Sequence, residues 1–258
     1  PPRRAARRVA PCASAPAGGS TTSTEEAGTR KGKGHGHGMM KKEDGFLGEL
    51  RSYAMKLHTR EQAPKEGQAE APKEQPKWEP TTECYLQYLV DSKCVYDTLE
   101  KAVAEAEEGS ALVAFKATGL ERGEALARDI AWFTSAEGDG LGLEAPAVSE
   151  VGSSYAATLA GMARDNVPAF MCHYYNTYFA HTAGGRMIGK QLSDAILDKK
   201  KLEFYKWDGV LKEHMDGVRK EINDMAEKWT QEEKQACLEE TGPCFKEAGK
   251  VLRLLAGQ

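Results

Sequence analysis

The sequence predicts an all-α fold, and three observations carry that expectation. From Gly45 onward apolar residues recur every three or four positions, which is the period of amphipathic helices. No segment alternates apolar and polar residues as a half-buried strand does. Gly- and Pro-rich breaks cut the pattern into segments of ordinary helical length. No internal repeat is visible, so a single helical domain over 45–258 is expected.

The elements come in order along the chain. Phe46, Leu50, Ala54 and Leu57 define a first helix over about 45–62, and the polar, Pro-rich stretch 63–80 reads as a loop. Tyr85, Tyr88, Leu89, Ser92, Tyr96, Leu99 and Val103 share one side of a second helix near 81–107. A third is expected at 121–135. After the Gly-rich GDGLGLEAP comes a fourth near 153–164. The longest pattern runs from Pro168, a first-turn proline, to about Asp198. Two further helices are expected at 208–228 and 231–256. Thr230 and Glu233 form a T-x-x-E capping box at the start of the last, and Gly242-Pro243 should kink it.

Composition narrows the function classes. The chain has 258 residues, of which 40% are hydrophobic and 29% charged, as in a globular, water-soluble protein. A net charge of -4 argues against nucleic acid as a general partner. The charge is unevenly placed. Residues 1–38 hold seven Lys or Arg against two Glu, which leaves the remainder near -9. Arg-, Ala- and Ser-rich, without a long apolar run, residues 1–40 have the composition of an organelle transit peptide or a disordered extension. The two His of HGHG at 35–38 lie in a Gly-rich stretch and are weak evidence for metal. No stretch of 18 apolar residues suggests a membrane span. The six Cys form no CxxC pair, so reduced packing thiols are expected over disulfides or a zinc site.

Two places can carry chemistry. His58, in RSYAMKLHTREQ, shares a helix face with Ala54, Arg51 and Leu47. An imidazole among apolar neighbours with a cation two turns away suits an axial iron ligand beside a partner for an anionic group. Gln62, one turn on, could orient the ring. An ordinary core or surface histidine is the alternative. The second place is HYYNTYFAHTAGGRMIGK, residues 173–190. Each Gly inside a helix costs about 1 kcal/mol relative to Ala. The pair Gly184-Gly185 is therefore expensive unless the backbone must bend or approach something flat. His181 lies one turn before it. Close helix–helix packing through small residues is the alternative there.

The segments KLHT, LVDSKCVYDTLE, TGLERGEAL, HTAGGRMIGK, LEFYKWDG and EEKQACLEET, in this order, resemble the haem oxygenase family, in particular its plastid branch of plants and algae. The resemblance spans about Gly45 to Leu255. It implies a helical bundle with haem sandwiched between a proximal and a distal helix. His58 matches the proximal iron ligand and Arg51 a basic propionate contact. Tyr175 and Arg219 match further propionate contacts. Gly184 and Gly185 match the distal glycines whose backbone crosses the haem, Tyr96 a tyrosine of the distal water network, and Phe245 an aromatic against the macrocycle. Many relatives carry an Asp where this chain has His181, so proton delivery would pass to His181 or to water. A basic residue that many relatives hold four positions before Arg219 is Met215 here.

The resemblance further implies that haem is both substrate and cofactor, opened with O2 to biliverdin, carbon monoxide and ferrous iron. It implies a monomer in the plastid stroma that passes its product to a bilin reductase. Electrons would come from outside the chain, since no GxGxxG dinucleotide motif follows a strand, and the resemblance implies ferredoxin as their source. Arg186, Lys190 and Lys199-Lys200-Lys201 are candidate docking cations, with an ordinary solvated helix end as the alternative. Three other readings compete. A haem carrier or sensor would keep His58 without needing the distal glycines. A thiamin-hydrolysing enzyme of similar fold would need Cys172 or Cys237 as nucleophile. A di-iron bundle would need paired E-x-x-H motifs, which are absent.

Overall fold

The computed structural model describes residues 45–62 and 79–257, the side chains of 58–62 excepted. The tail 1–40, HGHG, most of the expected loop at 63–80 and the side chains of His58 and Gln62 therefore lie outside the described residues. Among the described residues there are nine α-helices and no strand. They are α1 (Phe46–Gln62), α2 (Thr82–Ala104), α3 (Gly123–Thr134), α4 (Glu150–Asp165), α5 (Val167–Ala180), α6 (Arg186–Ile196), α7 (Leu211–Ala226), α8 (Gln231–Glu239) and α9 (Thr241–Arg253). Short 3₁₀ turns sit at Ala111–Phe115, Glu203–Tyr205 and Leu254–Ala256, and a π-turn occupies His181–Gly185. All described residues fall within one compact unit, 44–258.

The helices begin where the sequence offers a cap. Thr81, Ser149 and Asn166 each accept a backbone N–H of the adjoining first turn, satisfying a donor that would otherwise be orphaned. The Thr230 capping box forms as expected: its hydroxyl accepts from Glu233 N at 3.2 Å, and its own N–H donates to Glu233 Oε2 at 2.8 Å. Helix α2 is the hub. It buries Tyr85, Leu86, Leu89, Val95, Tyr96, Leu99 and Val103 and packs on α3, α4, α9 and the final 3₁₀ turn. Each such side chain contributes about 1.5–3 kcal/mol when fully removed from water. Tyr88, expected on the same side, is only half-buried.

Two elements differ from the sequence expectation. The long helix from Pro168 is not one α-helix but α5, the π-turn and α6 in succession. The last helix is broken rather than kinked. It ends at Glu239, and Pro243 falls in the first turn of α9, where its missing N–H leaves no hydrogen bond unmade.

Asp91 ties α2 to α4 although it is completely buried. Its carboxylate accepts from Ser149 N at 2.9 Å, Gly152 N at 3.2 Å, Gln87 Nε2 at 2.9 Å and the Ser149 hydroxyl. A negative charge at a helix N-terminus is favourable, and these donors replace its lost water. Replacing Asp91 with Ala leaves several of those donors unpaired at about 1–3 kcal/mol each. We expect a loss of roughly 3 kcal/mol or more in urea unfolding, with turnover per folded molecule unchanged.

Helix α1 is set by α7. Leu47 N donates to Asn223 Oδ1 at 3.0 Å, and the Phe46 ring meets Trp229 edge-on at 5.4 Å. Both α1 and α5 pack on α8 and α9. The helix that carries His58 and the helix that leads to His181 thus share two neighbours.

Candidate haem site

The site is built around the π-turn. Arg186 N–H reaches back five residues to the carbonyl of His181 rather than four. This widened turn is a local departure from α geometry that is common at functional sites. The two glycines inside it do different jobs. Among the described residues, a Cβ on Gly184 would meet no atom beyond its own turn of helix within 4 Å, so this face of the helix is open. A Cβ on Gly185 would lie 2.6 Å from His181 Nδ1. Gly185 is bare because the imidazole occupies the space beside it.

His181 is buried in an aromatic cage. Its ring stacks on Phe204 at 3.9 Å, with Tyr205 at 5.1 Å, Trp207 at 5.4 Å and Tyr96 at 6.0 Å. Nε2 lies 2.8 Å from the carbonyl oxygen of Phe204. A carbonyl can only accept, so Nε2 carries the proton. Burial, helped by the cations Arg122 and Arg186 and opposed by the Phe204 carbonyl, pushes its pKa down to about 3. The ring is therefore neutral at physiological pH, and Nδ1 presents a lone pair beside Gly185.

That depression has a stability consequence. The unfolded chain protonates this histidine near pH 6.5, whereas the folded chain resists until near pH 3. The unfolded state thus binds the extra proton, and stability falls as pH drops from about 6.5 by up to roughly 1.4 kcal/mol per unit. His173, also fully buried, shifts in the same direction. We expect the melting temperature to fall between pH 6.5 and 4, and to fall less steeply in His181→Leu. Equal slopes would show that His181 is not held neutral.

Tyr96 comes up from α2. Its hydroxyl donates to Thr177 O at 3.4 Å, and its ring stands edge-on to Tyr178 and Phe204. Burial raises its pKa far above the ordinary tyrosine value, so the hydroxyl stays a donor. Tyr175 and Arg219 meet through Phe179, which the sequence pattern does not single out. The Tyr175 ring lies 4.3 Å from Phe179, and the Arg219 guanidinium sits 4.9 Å over that same ring. Arg219 also pairs with Asp216 at 2.7 Å. The structure thus gathers His181, Gly184, Gly185 and Tyr96 into one cluster and couples Tyr175 to Arg219. Arg51 and the backbone of His58 are on α1, and Phe245 is half-buried on α9.

Two further residues escape sequence reasoning. Phe204 grips His181 at once by ring and carbonyl. It lies in LEFYKWDG, a segment whose only signal in the sequence is its resemblance to the family. His173 sits in the aromatic run before the π-turn and locks α5 to α4 and to the junction of α8 and α9, through Tyr155 at 2.8 Å and Glu240 at 3.0 Å.

The cations behave unequally. Lys190 pairs with Asp194 at 2.5 Å. Lys200 pairs with Asp139 at 2.8 Å and lies over the Trp132 ring. Arg186, Lys199 and Lys201 are exposed. Among the described residues no group of three or more His, Cys, Asp or Glu could hold a metal ion, no helix is long and apolar enough to cross a membrane, and Cys84, Cys94, Cys172, Cys237 and Cys244 are free thiols.

Comparison with known proteins agrees with this architecture. The haem oxygenase family model matches residues 46–253. Heme oxygenase 1, chloroplastic, of Arabidopsis thaliana is 49% identical over 82% of this chain and 74% of its own length. The chloroplastic heme oxygenase 1 of rice, Oryza sativa subsp. japonica, is 48% identical over 81% of this chain and 70% of its own. Among solved structures, heme oxygenase-1 of the cyanobacterium Synechocystis in complex with heme superposes with a TM-score of 0.64 at 18% identity. That match covers 83% of this chain and 93% of that one, and it shows a shared fold. From the helical bundle, the π-turn glycines and the extent of these matches, the chain belongs to the haem oxygenase family, on its chloroplast branch.

Proposed function

We propose that this haem oxygenase opens haem to biliverdin, releasing carbon monoxide and ferrous iron, with O2 and electrons from reduced ferredoxin. The observation that carries the reading is the π-turn. One glycine leaves a bare backbone on an open face, and the next makes room for a buried, neutral histidine. A flat, bulky substrate fits against the first, and an oriented proton acceptor stands beside it in the second. Bound haem supplies the iron at which oxygen is activated.

The chain's own residues then have separate tasks. His58 holds the iron from α1. His181, with Nε2–H committed to Phe204, offers Nδ1 to a distal water and keeps that water oriented. The imidazole accepts a hydrogen bond in this role and is not a pre-charged acid. Tyr96 donates to the Thr177 carbonyl and stiffens the same helix. Arg51, Tyr175 and Arg219 take the propionates and so set the rotation of the ring and the bridge carbon attacked. Phe245 packs on the macrocycle. Arg219→Ala removes one charge-assisted contact, and we expect about 10-fold weaker haem binding by titration at the Soret band.

The product is of the kind a bilin reductase consumes, and the working unit is a monomer. Exposed Arg186, Lys199 and Lys201 are the docking cations left for an acidic electron donor, since Lys190 and Lys200 are engaged within the protein. Residues 1–40 serve as the plastid address. The test is an absorption time course with stoichiometric haem, ferredoxin, its reductase and NADPH. Soret decay with growth of a bilin band supports the enzyme. A stable bound Soret band would convert the reading to a haem carrier, and failure to bind haem would remove both.

A further inference from the structure

We infer that Asp129, on a helix that contributes no residue to the haem site, is the positioning residue that decides which nitrogen of His181 faces the substrate. The inference rests on the distal role proposed for His181.

The 3₁₀ turn Glu203–Tyr205 contains only three residues and follows Lys199-Lys200-Lys201, of which the first and last are exposed. Asp129 holds it with both carboxylate oxygens. Oδ1 accepts from Glu203 N at 2.8 Å, and Oδ2 accepts from Phe204 N at 2.7 Å. Asp129 is 3% exposed, so neither amide has water as a ready substitute. Phe204 therefore donates its amide hydrogen bond to α3's carboxylate and gives its carbonyl to His181 Nε2 at 2.8 Å. Its ring lies nearly parallel to the imidazole, with 23° between planes.

Other contacts fix the turn without choosing a tautomer. Tyr205 packs where a Cβ on Gly189 would be, and its hydroxyl meets that of Tyr85 at 3.0 Å. Arg122 donates to the carbonyls of Leu120 and Lys206. None of these places the Phe204 carbonyl against Nε2. Asp129 holds the N–H of the peptide group just before that carbonyl, and the oxygen of the same group accepts from Lys206 N at 2.9 Å, within the turn itself. Should the turn rotate, the imidazole loses its acceptor, and either nitrogen can then carry the proton. The same consideration explains a buried acid on an otherwise apolar face of α3, where Leu126 and Phe133 flank it three and four residues away.

The groups that face His181 are Tyr96 from α2, Arg122 ahead of α3, Arg186 from α6, Phe204 and Tyr205 from the 3₁₀ turn, and Trp207 just beyond it. Of these, only the Phe204 carbonyl accepts a hydrogen bond from the imidazole.

The test is ¹⁵N-histidine NMR of the full haem-free chain, with turnover measured in parallel. In the unaltered protein His181 should show one neutral form, protonated at Nε2, with no titration between pH 5 and 8. In Asp129→Ala that single form should become a mixture of tautomers, with a midpoint moving up toward the free value of about 6.5. Asp129→Asn, which keeps one acceptor oxygen and the size, covers the case in which the alanine variant does not fold, and should give a smaller change of the same kind. An Nδ1-protonated His181 in the unaltered protein would overturn the inference before any variant is made. So would a folded Asp129 variant with the original tautomer and no titration. A changed tautomer with undiminished turnover would keep the positioning role and remove His181 from catalysis.

Discussion

Replacing His58 with alanine is expected to abolish normal axial ligation and cut turnover by more than the roughly 10–100-fold that accompanies loss of an outer ligand partner. The neighbours Ala54 and Leu57 on the same helix bring no donor. Helix α1 itself should survive. Its start is set by Asn223 and Trp229, three turns before position 58, and Ala is the best helix former. The distinguishing measurement is rescue. Added imidazole should restore both the haem spectrum of the unaltered protein and part of the turnover. Full activity of the alanine variant without imidazole would remove His58 from the iron.

A second large effect is expected at the glycine pair, where adjacent positions should respond in opposite ways. Gly184→Ala introduces a methyl group that, among the described residues, meets no atom beyond its own turn of helix within 4 Å. The haem-free protein should melt as before, and any defect should appear only with haem bound. Gly185→Ala puts its methyl 2.6 Å from His181 Nδ1. That ring cannot swing aside easily, because Phe204 holds it by stacking and by a hydrogen bond. Overpacking of this kind costs about 1–3 kcal/mol. The haem-free Gly185→Ala should therefore be destabilised, and Gly185→Leu more so. In both, bilin yield per haem consumed should fall as His181 loses its place. Equal melting temperatures for the two alanine variants would refute this division of roles.

Much of the fold is legible in local pattern. Helices α1 to α4 and the start of α5 fall where periodicity and capping residues put them, because a helix is specified by residues three and four apart and by its first turn. Thr230 with Glu233 is a case in which four consecutive positions contain the whole interaction. The π-turn is not legible as such. HTAGG marks only that a helix is weakened there, and whether the chain bends, widens or continues depends on what packs against it. Likewise Gly242-Pro243 signals a disturbance, and the structure shows that α8 ends at Glu239 and a new helix starts at Thr241.

For the site the boundary runs along the same line. The sequence by itself determined the chemistry on hand: a histidine on the first helix, a histidine one turn before two glycines, a tyrosine on α2 and an arginine on α7. It also determined the family, since six ordered segments are too long a coincidence for chance. Tertiary structure alone decided the state of those groups. His181 and Phe204 are 23 residues apart, and Asp129 lies 75 before Phe204. Yet His181 and Phe204 together fix a neutral imidazole protonated at Nε2, and Asp129 holds the Phe204 amide. Tautomer and proton affinity depend on burial and on partners brought in from distant segments, which no local spacing encodes.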